Sequence, residues 1–444
     1  MGGGMRPMVA TCRARNRRNK LVFPNQKRFF AATPRTNNPS QWHEIQGEGM
    51  HHRTHPKSHL AAGLLVLTAA LAGCGGTTEP APPPSPPPGP ISVSFSGPAV
   101  DGSVHDTNTP INLQVTVTVD GKSAPDGTLV TLSANRATAR LTRPVTATVA
   151  GTAASEMQDT QPGAVQVDAA ATSNTHSGSD RVTLFIRPKP KDLELLVPAF
   201  FSAAAGSAWE TLTSGATSYP DVKITAVANA SNGILTSASK ADTDLLGAIT
   251  LFKAVKPGNQ KVVAYVSTAY GSGTRSVVDV KATIDKYIEL YPGLLDGFFL
   301  GEMAAGSDRL AFYTDLYTYI HGKGLSVIGD PGSFPDAGYA AAADVLVTFE
   351  GNAAAYQNID PQPSHTWVYN QDNTRQAMLV HSASACTTMQ KAVETANKAR
   401  SNTGLVYVTD LVGTGSPWSG LPTYWTKLLG TVDAHNNDRA WPAC

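Results

Sequence analysis

Three hydrophobic rhythms follow one another along the chain. The first is an unbroken apolar run, "LAAGLLVLTAALAG" at 60–73, shorter than the roughly 20 residues a membrane-spanning helix needs. The second, from 91 to about 187, alternates apolar and polar positions over short runs: "ISVSFSG", "INLQVTVTV", "GTLVTLSA", "ATVAG", "GAVQVDAAAT" and "RVTLFIR". Val, Thr and Ile dominate these runs, and Gly, Asp, Asn and Pro separate them, which predicts an antiparallel β-sandwich. The third begins after "RPKPK" (187–191) and alternates solid apolar runs with longer amphipathic stretches, the pattern of repeated βα units.

Eight apolar runs predict strands in that last region, at 193–200, 222–229, 261–267, 296–302, 325–330, 344–350, 377–382 and 404–410. Between them lie helical stretches such as 239–256, 276–291 and 307–324. Eight strands with intervening helices over some 250 residues fit a (β/α)8 TIM barrel. A doubly wound open sheet is the alternative, and no Gly-rich phosphate fingerprint favours it. The fold class is therefore multidomain, an all-β sandwich followed by a C-terminal barrel.

Charge divides the chain as well. The formal net charge is +1, but residues 1–74 hold 11 Lys/Arg against 2 Asp/Glu, which leaves residues 75–444 at −8. That later part offers no basic stripe, so nucleic acid is not an expected partner. The 60–73 run follows a basic patch (Arg53, Lys57) and ends in "LAGC" at Cys74. This resembles the lipobox of bacterial lipoproteins, whose cysteine is lipidated after cleavage. An ordinary signal peptide with a chance cysteine is the alternative. Residues 1–49 are then a disordered upstream extension, 50–74 the signal peptide, and 75–90 a proline-rich spacer, "TTEPAPPPSPPPGP". Residues 91–188 are the sandwich and 192–444 the barrel. The stretch "VTVTVDGKSAPDGTLVTLSA" resembles bacterial immunoglobulin-like domains of invasin-type surface proteins. Outside the cytoplasm, Cys386 and Cys444 are candidates for a disulfide, with two free thiols as the alternative. His321, His365, His381 and His435 show no ligand spacing, so neither a metal nor a cofactor is expected.

Active groups of such barrels stand at the C-terminal strand ends. Here those ends carry Asn229, Ser267, Glu302, Asp330, Glu350, His381 and Asp410. Glu302 and Glu350 close long apolar runs, and two carboxyls at one barrel mouth are what glycoside hydrolysis needs. Strict alternation places Leu300 and Phe298 on the face of Glu302, with Phe299 and Gly301 toward the helices. It likewise groups Glu350 with Thr348 and Leu346. Phe200, Tyr270, Trp367, Tyr369 and Trp418 are aromatics expected near the mouth, able to stack on sugar rings.

The strings "LLVPAFF", "VANASNG", "VVAYVSTAYGSGTRSVVDVKATIDKYIELYPGLLDGFFLGE", "DVLVTFEG" and "GLVYVTDLVGTGSPWSGLPTYW" resemble the spherulation-specific family 4, over about 193–430. The resemblance implies a (β/α)8 glycoside hydrolase acting on galactosamine-containing, α-1,4-linked exopolysaccharide. It makes Glu302 and Glu350 the catalytic carboxylates; around them, the strand ends and nearby aromatics give Phe200, Asn229, Tyr270, Asp330, His381, Tyr407, Asp410 and Trp418 as the expected substrate-binding set. Family members carry Asp-Glu after the "FF" strand, whereas Gly301 stands here in place of the Asp. Phe200 stands where Tyr is frequent, and "ANASNG" where a Pro-containing loop is usual.

The expected protein is a monomeric, membrane-anchored lipoprotein of the bacterial cell envelope, at the outer membrane or cell surface, which cleaves an amino-sugar polymer. A glycan-binding lipoprotein without catalysis is one alternative. A surface adhesion protein working through its sandwich is another.

Overall fold

The computed structural model describes residues 90–444, apart from 174–175 and 414–415. The apolar 60–73 run and Cys74 lie outside the described residues. Within them no helix is long and apolar enough to cross a membrane.

Residues 91–187 form two five-stranded sheets over a shared apolar core. One sheet runs Ile91–Ser96, Ile111–Val119, Thr152–Asp159, Ala139–Leu141, with Lys122–Ser123 beside Ile111–Val119. The other runs Val104–Asp106, His176–Arg187, Gly163–Ser173, Leu129–Ala134, Val145–Ala147. Val115, Val117, Leu132, Met157, Val167 and Leu184 are among the residues filling the space between them. Thr152–Asp159 does not stand out in the sequence, because it turns Ala153, Ser155, Met157 and Asp159 inward and only Met157 is large and apolar. Asp159 is tolerated there because Arg136 pairs with it at 2.5 Å. The "ATVAG" run is mostly turn: the strand ends at Ala147, and Ala150 and Gly151 have positive φ.

Residues 194–408 supply a closed eight-stranded parallel barrel. Its strands are β1 (Glu194–Ala199), β2 (Ile224–Ala228), β3 (Gln260–Ser267), β4 (Gly297–Gly301), β5 (Ser326–Gly329), β6 (Val345–Asn352), β7 (Gln376–His381) and β8 (Leu405–Val408). Each begins within two residues of its predicted run. The long helices are α1 (Ala208–Ser218), α2 (Thr243–Val255), α3 (Val277–Leu290), α4 (Leu310–His321), α5 (Cys386–Asn397) and α6 (Trp425–Asn436). Side chains fix where two of them start. Asp242 accepts from the N–H groups of Asp244 and Leu245 at α2, and Ser276 and Asp279 cap each other at α3. A disulfide joins Cys386, the first residue of α5, to the final residue Cys444.

The sandwich packs on the barrel face where the strands begin. Phe185 lies against Tyr369 with ring centroids 5.2 Å apart. Gln362 Nε2 donates to the Gly102 carbonyl at 2.8 Å, and Arg187 Nη1 to that of Ala399 at 3.3 Å. Trp367 and Tyr369 lie in the 3-10 turn Thr366–Asn370 that leads into β7. They are therefore not aromatics of the mouth, as expected, but belong to the opposite end, where Tyr369 is fully buried.

Candidate active site

Three carboxyls meet where the strands end, and each arrives by a different local device. On β4, Phe298 packs outward against Tyr287 of α3 with centroids 6.2 Å apart, while Phe299 lies beside Tyr265 at 6.1 Å. Phe299 and Gly301 are therefore the axis-facing residues of β4, and the alternation expected from the sequence is reversed. Glu302 nevertheless reaches the mouth because its φ of 53° places it in the left-handed region, breaking the strand's period. Its carbonyl accepts from Tyr270 N–H and Thr268 Oγ1, both at 2.8 Å, which holds the strained turn. Its Oε2 accepts from Ser267 Oγ at 2.5 Å.

On β6 the period is broken again. The register against β7 shifts between Val347 and Phe349, so Glu350 shares a face with Val347, and Leu346 with Phe349. Phe349 packs outward on Tyr356 at 5.1 Å. The expected grouping of Glu350 with Thr348 and Leu346 fails because a bulge inserts one residue. Glu350 is reachable by solvent, yet its carboxyl is set among protein atoms and accepts from Trp418 Nε1 at 3.1 Å.

Asp330 follows β5, its carboxyl accepts from the Gly332 N–H, and it stands close enough to the Glu350 carboxyl for the two to share a proton. Its Oδ1 is buried and receives no protein donor. Burial raises both acids above the usual carboxylate range, and for Asp330 the negative charge of Glu350 adds to the rise.

Gly301 is explained by Tyr265. A Cβ at residue 301 would stand 2.1 Å from Cε2 of the Tyr265 ring, so the aromatic ring already fills the space an aspartate would take. The phenol is pushed up by burial, then by Glu302, Asp330 and Glu350, and stays a proton donor among three acids. Tyr265 escaped the sequence reading because "KVVAYVS" gives no sign of which apolar residue enters the mouth.

The other expected site residues divide. Tyr270 is 47 % exposed and lies close enough to all three carboxyls to feel their charge. Half-buried Phe200 meets Tyr265 edge-on at 5.1 Å. Asn229 lies beside Phe200 in a polar depression that also includes Asp242 and Asp244, and its Oδ1 is buried without a partner. His381 packs on Trp418 at 6.2 Å, and burial lowers its pKa, favouring the neutral ring. Trp418 is only 6 % exposed, so it orients Glu350 more than it offers a stacking face. Tyr407 is fully buried beneath Trp418 and donates to the Gly420 carbonyl, out of reach of any sugar. Asp410 spends its oxygens on the N–H and hydroxyl of Thr423 and ties down a loop. Among the described residues, no three His, Cys, Asp or Glu side chains are gathered as a metal-binding group.

Spherulation-specific family 4 matches residues 194–432. Spherulin-4 of Physarum polycephalum is 30% identical over 253 residues, which cover 55% of this chain and 71% of that protein. Among solved structures, Aspergillus clavatus Sph3 in complex with GalNAc aligns over 55% of this chain and 98% of its own at 22% identity, with a TM-score of 0.45. A family 39 glycoside hydrolase from Bacteroides cellulosilyticus WH2 aligns over 76% and 82% at 9% identity, with a TM-score of 0.38.

Proposed function

The chain belongs to the spherulation-specific family 4, and from that premise we propose that it is a glycoside hydrolase cleaving an amino-sugar exopolysaccharide. The substrate class is the galactosamine-containing, α-1,4-linked polymer that the family resemblance implies. The observation that carries the reading is the convergence of Glu302 and Glu350 at one mouth, in two different settings. Desolvation of its carboxyl raises Glu350 above the usual carboxylate range and the Trp418 indole orients it, which suits a general acid. Glu302 is exposed and held by Ser267, which suits the nucleophile or the base that activates water. Tyr270 offers an open ring at the rim for a sugar face.

The decisive assay is release of reducing ends from galactosamine-rich polymer, comparing the parent with Glu302→Gln and Glu350→Gln. Cleavage by the parent and its loss in both variants is the expected result. Binding of the polymer without cleavage by the parent would instead favour a glycan-binding protein, the reading that Gly301 keeps open.

The setting of the enzyme is part of the same proposal. Cys74 carries lipid, the immunoglobulin-like sandwich spaces the barrel from a bacterial envelope membrane, and the protein works as a monomer. Cys74→Ser should then move the protein from the membrane fraction to the soluble one, and unchanged fractionation would remove the anchor.

A further inference from the structure

We propose that Asp330 is a positioning residue of this site, holding the proton of Glu350 in a carboxyl–carboxyl hydrogen bond and so supplying the third acid that residue 301 lacks. The proposal rests on the hydrolase reading for its kinetic consequence, but not for its chemistry.

The geometry begins with the backbone. Asp330 N–H donates to the Leu300 carbonyl at 3.0 Å, and the Asp330 carbonyl accepts from Met303 N–H at 3.0 Å, so residue 330 is clamped on both sides of Glu302. Two residues later, the Gly332 carbonyl accepts from Glu350 N–H at 2.9 Å. The segment 330–332 is thereby fastened to both expected reacting acids, and the Asp330 side chain has little freedom to leave.

The side-chain argument is one of counting donors. Asp330 Oδ1 is buried and no protein donor reaches it. The Asp330 carboxyl takes one N–H, from Gly332, and its other neighbour, Glu350, is also a carboxyl, already using Oε1 to accept from Trp418. Two ionised carboxylates have no proton between them and repel. Among the described residues, none of the ion pairs involves either acid. One shared proton turns the repulsion into a hydrogen bond and satisfies the buried oxygen. The remaining groups around the pair are Glu302, the neutral phenols of Tyr265 and Tyr270, and His381, which meets the Trp418 ring edge-on. The guanidinium of Arg275 is engaged behind the strand with the carbonyls of Gly233 and Ser267 and the Thr283 hydroxyl. This surrounding charge favours retention of the proton.

In the reaction, Glu350 gives that proton to the glycosidic oxygen, which keeps the electron pair of the breaking bond. The anomeric carbon receives the hydroxyl of a water, either directly or after an ester with Glu302. After the ester, the second proton of that water returns to the Asp330–Glu350 pair; in the direct route Glu302 takes it and releases it to solvent, from which the pair is reprotonated, so the site ends as it began.

The test uses the full chain and Asp330→Asn, which keeps the shape and can donate to Glu350 but carries no charge. At pH 7 an infrared spectrum of the parent should show a protonated carboxyl band that disappears in Asp330→Asn and in Glu350→Gln. On galactosamine-rich polymer, Asp330→Asn should move the alkaline limb of kcat/KM down by about one to two pH units, with KM unchanged. No such band in the parent, or a band that persists in both variants, overturns the proposal. So does an alkaline limb that stays in place in an active Asp330→Asn enzyme. If the parent cleaves no polymer, the infrared result still decides the proton sharing, while the hydrolase reading falls alone.

Discussion

The barrel treats acids at its two ends in opposite ways. Where the strands begin, Asp296 binds Lys253 at 2.7 Å and accepts the Val262 N–H at 2.7 Å. Asp344 does the same with His321 at 2.9 Å and Val327 N–H at 2.8 Å, and Glu194 binds Lys223 at 3.1 Å. Each of these carboxylates meets a basic side chain, and two also tie one strand to the next. Where the strands end, Glu302, Asp330 and Glu350 have Ser267, Trp418 and each other. The backbone follows the same division. Ser231, Asn232, Ala269, Tyr270, Glu302 and Ser382 have positive φ just beyond the ends of β2, β3, β4 and β7, against Asn402 near a strand start. Acids without a basic partner and strained backbone gathered at one end mark the candidate site.

The largest effect should separate the two ends by activity. Glu302→Gln or Glu350→Gln is expected to lower polymer turnover by about 10²–10⁴-fold with an unchanged melting temperature. Asp296→Asn should show the reverse, full turnover and a stability loss of about 1–3 kcal/mol in urea titration, because Lys253 loses the negative charge it pairs with and the Val262 N–H bond is no longer charge-assisted. An active Glu302→Gln enzyme would erase the distinction.

Next in size is Gly301→Asp. Restoring the acid usual in the family forces a side chain into the Tyr265 ring, so the single variant should lose about 1–3 kcal/mol and gain no turnover. Adding Tyr265→Ala should recover the stability. A Gly301→Asp protein as stable as its parent would show that the ring yields readily.

pH offers a gentler contrast. The Asp330–Glu350 pair is raised in the folded protein, mainly by burial. It holds a proton that the unfolded chain releases near pH ~4. Its contribution is therefore full below that pH and is lost as pH rises through the folded values. The melting temperature of Asp330→Asn should gain on that of the parent between about pH 4 and 8. The smallest effect lies at the sandwich junction, where Gln362→Ala removes the bond to Gly102 and should cost about 1 kcal/mol. Turnover should be unaffected. A lower turnover would mean that the sandwich acts on the mouth from across the barrel.

The sequence made the strands and their terminal acids legible because buried parallel strands are written as solid apolar runs, and an acid closing one is conspicuous. It did not show which way the side chains point. The turn at Glu302 and the bulge before Glu350 each shift the period, and neither carries a residue signature that strict alternation would reveal. Trp367 and Tyr369 fell at the wrong end because a 3-10 turn precedes β7, where the sequence offers only aromatic composition. Asp330 was placed among substrate-binding groups, not beside the reacting acid, since Glu350 is twenty residues away. The strand Thr152–Asp159 was hidden by its buried serine and aspartate.

The strand His176–Arg187 gives the molecule a direction. Its last residues lie on the barrel at Tyr369 and Ala399, while Gly178, near its start, is beside the Ile91 carbonyl. Nine residues of strand separate those points, about 30 Å at the usual rise. The chain therefore enters the sandwich at the pole remote from the barrel, and the mouth opens beyond the barrel on the other side. A probe or tether attached at residue 90 should therefore leave the mouth unobstructed, because the depth of the sandwich and of the barrel lies between them.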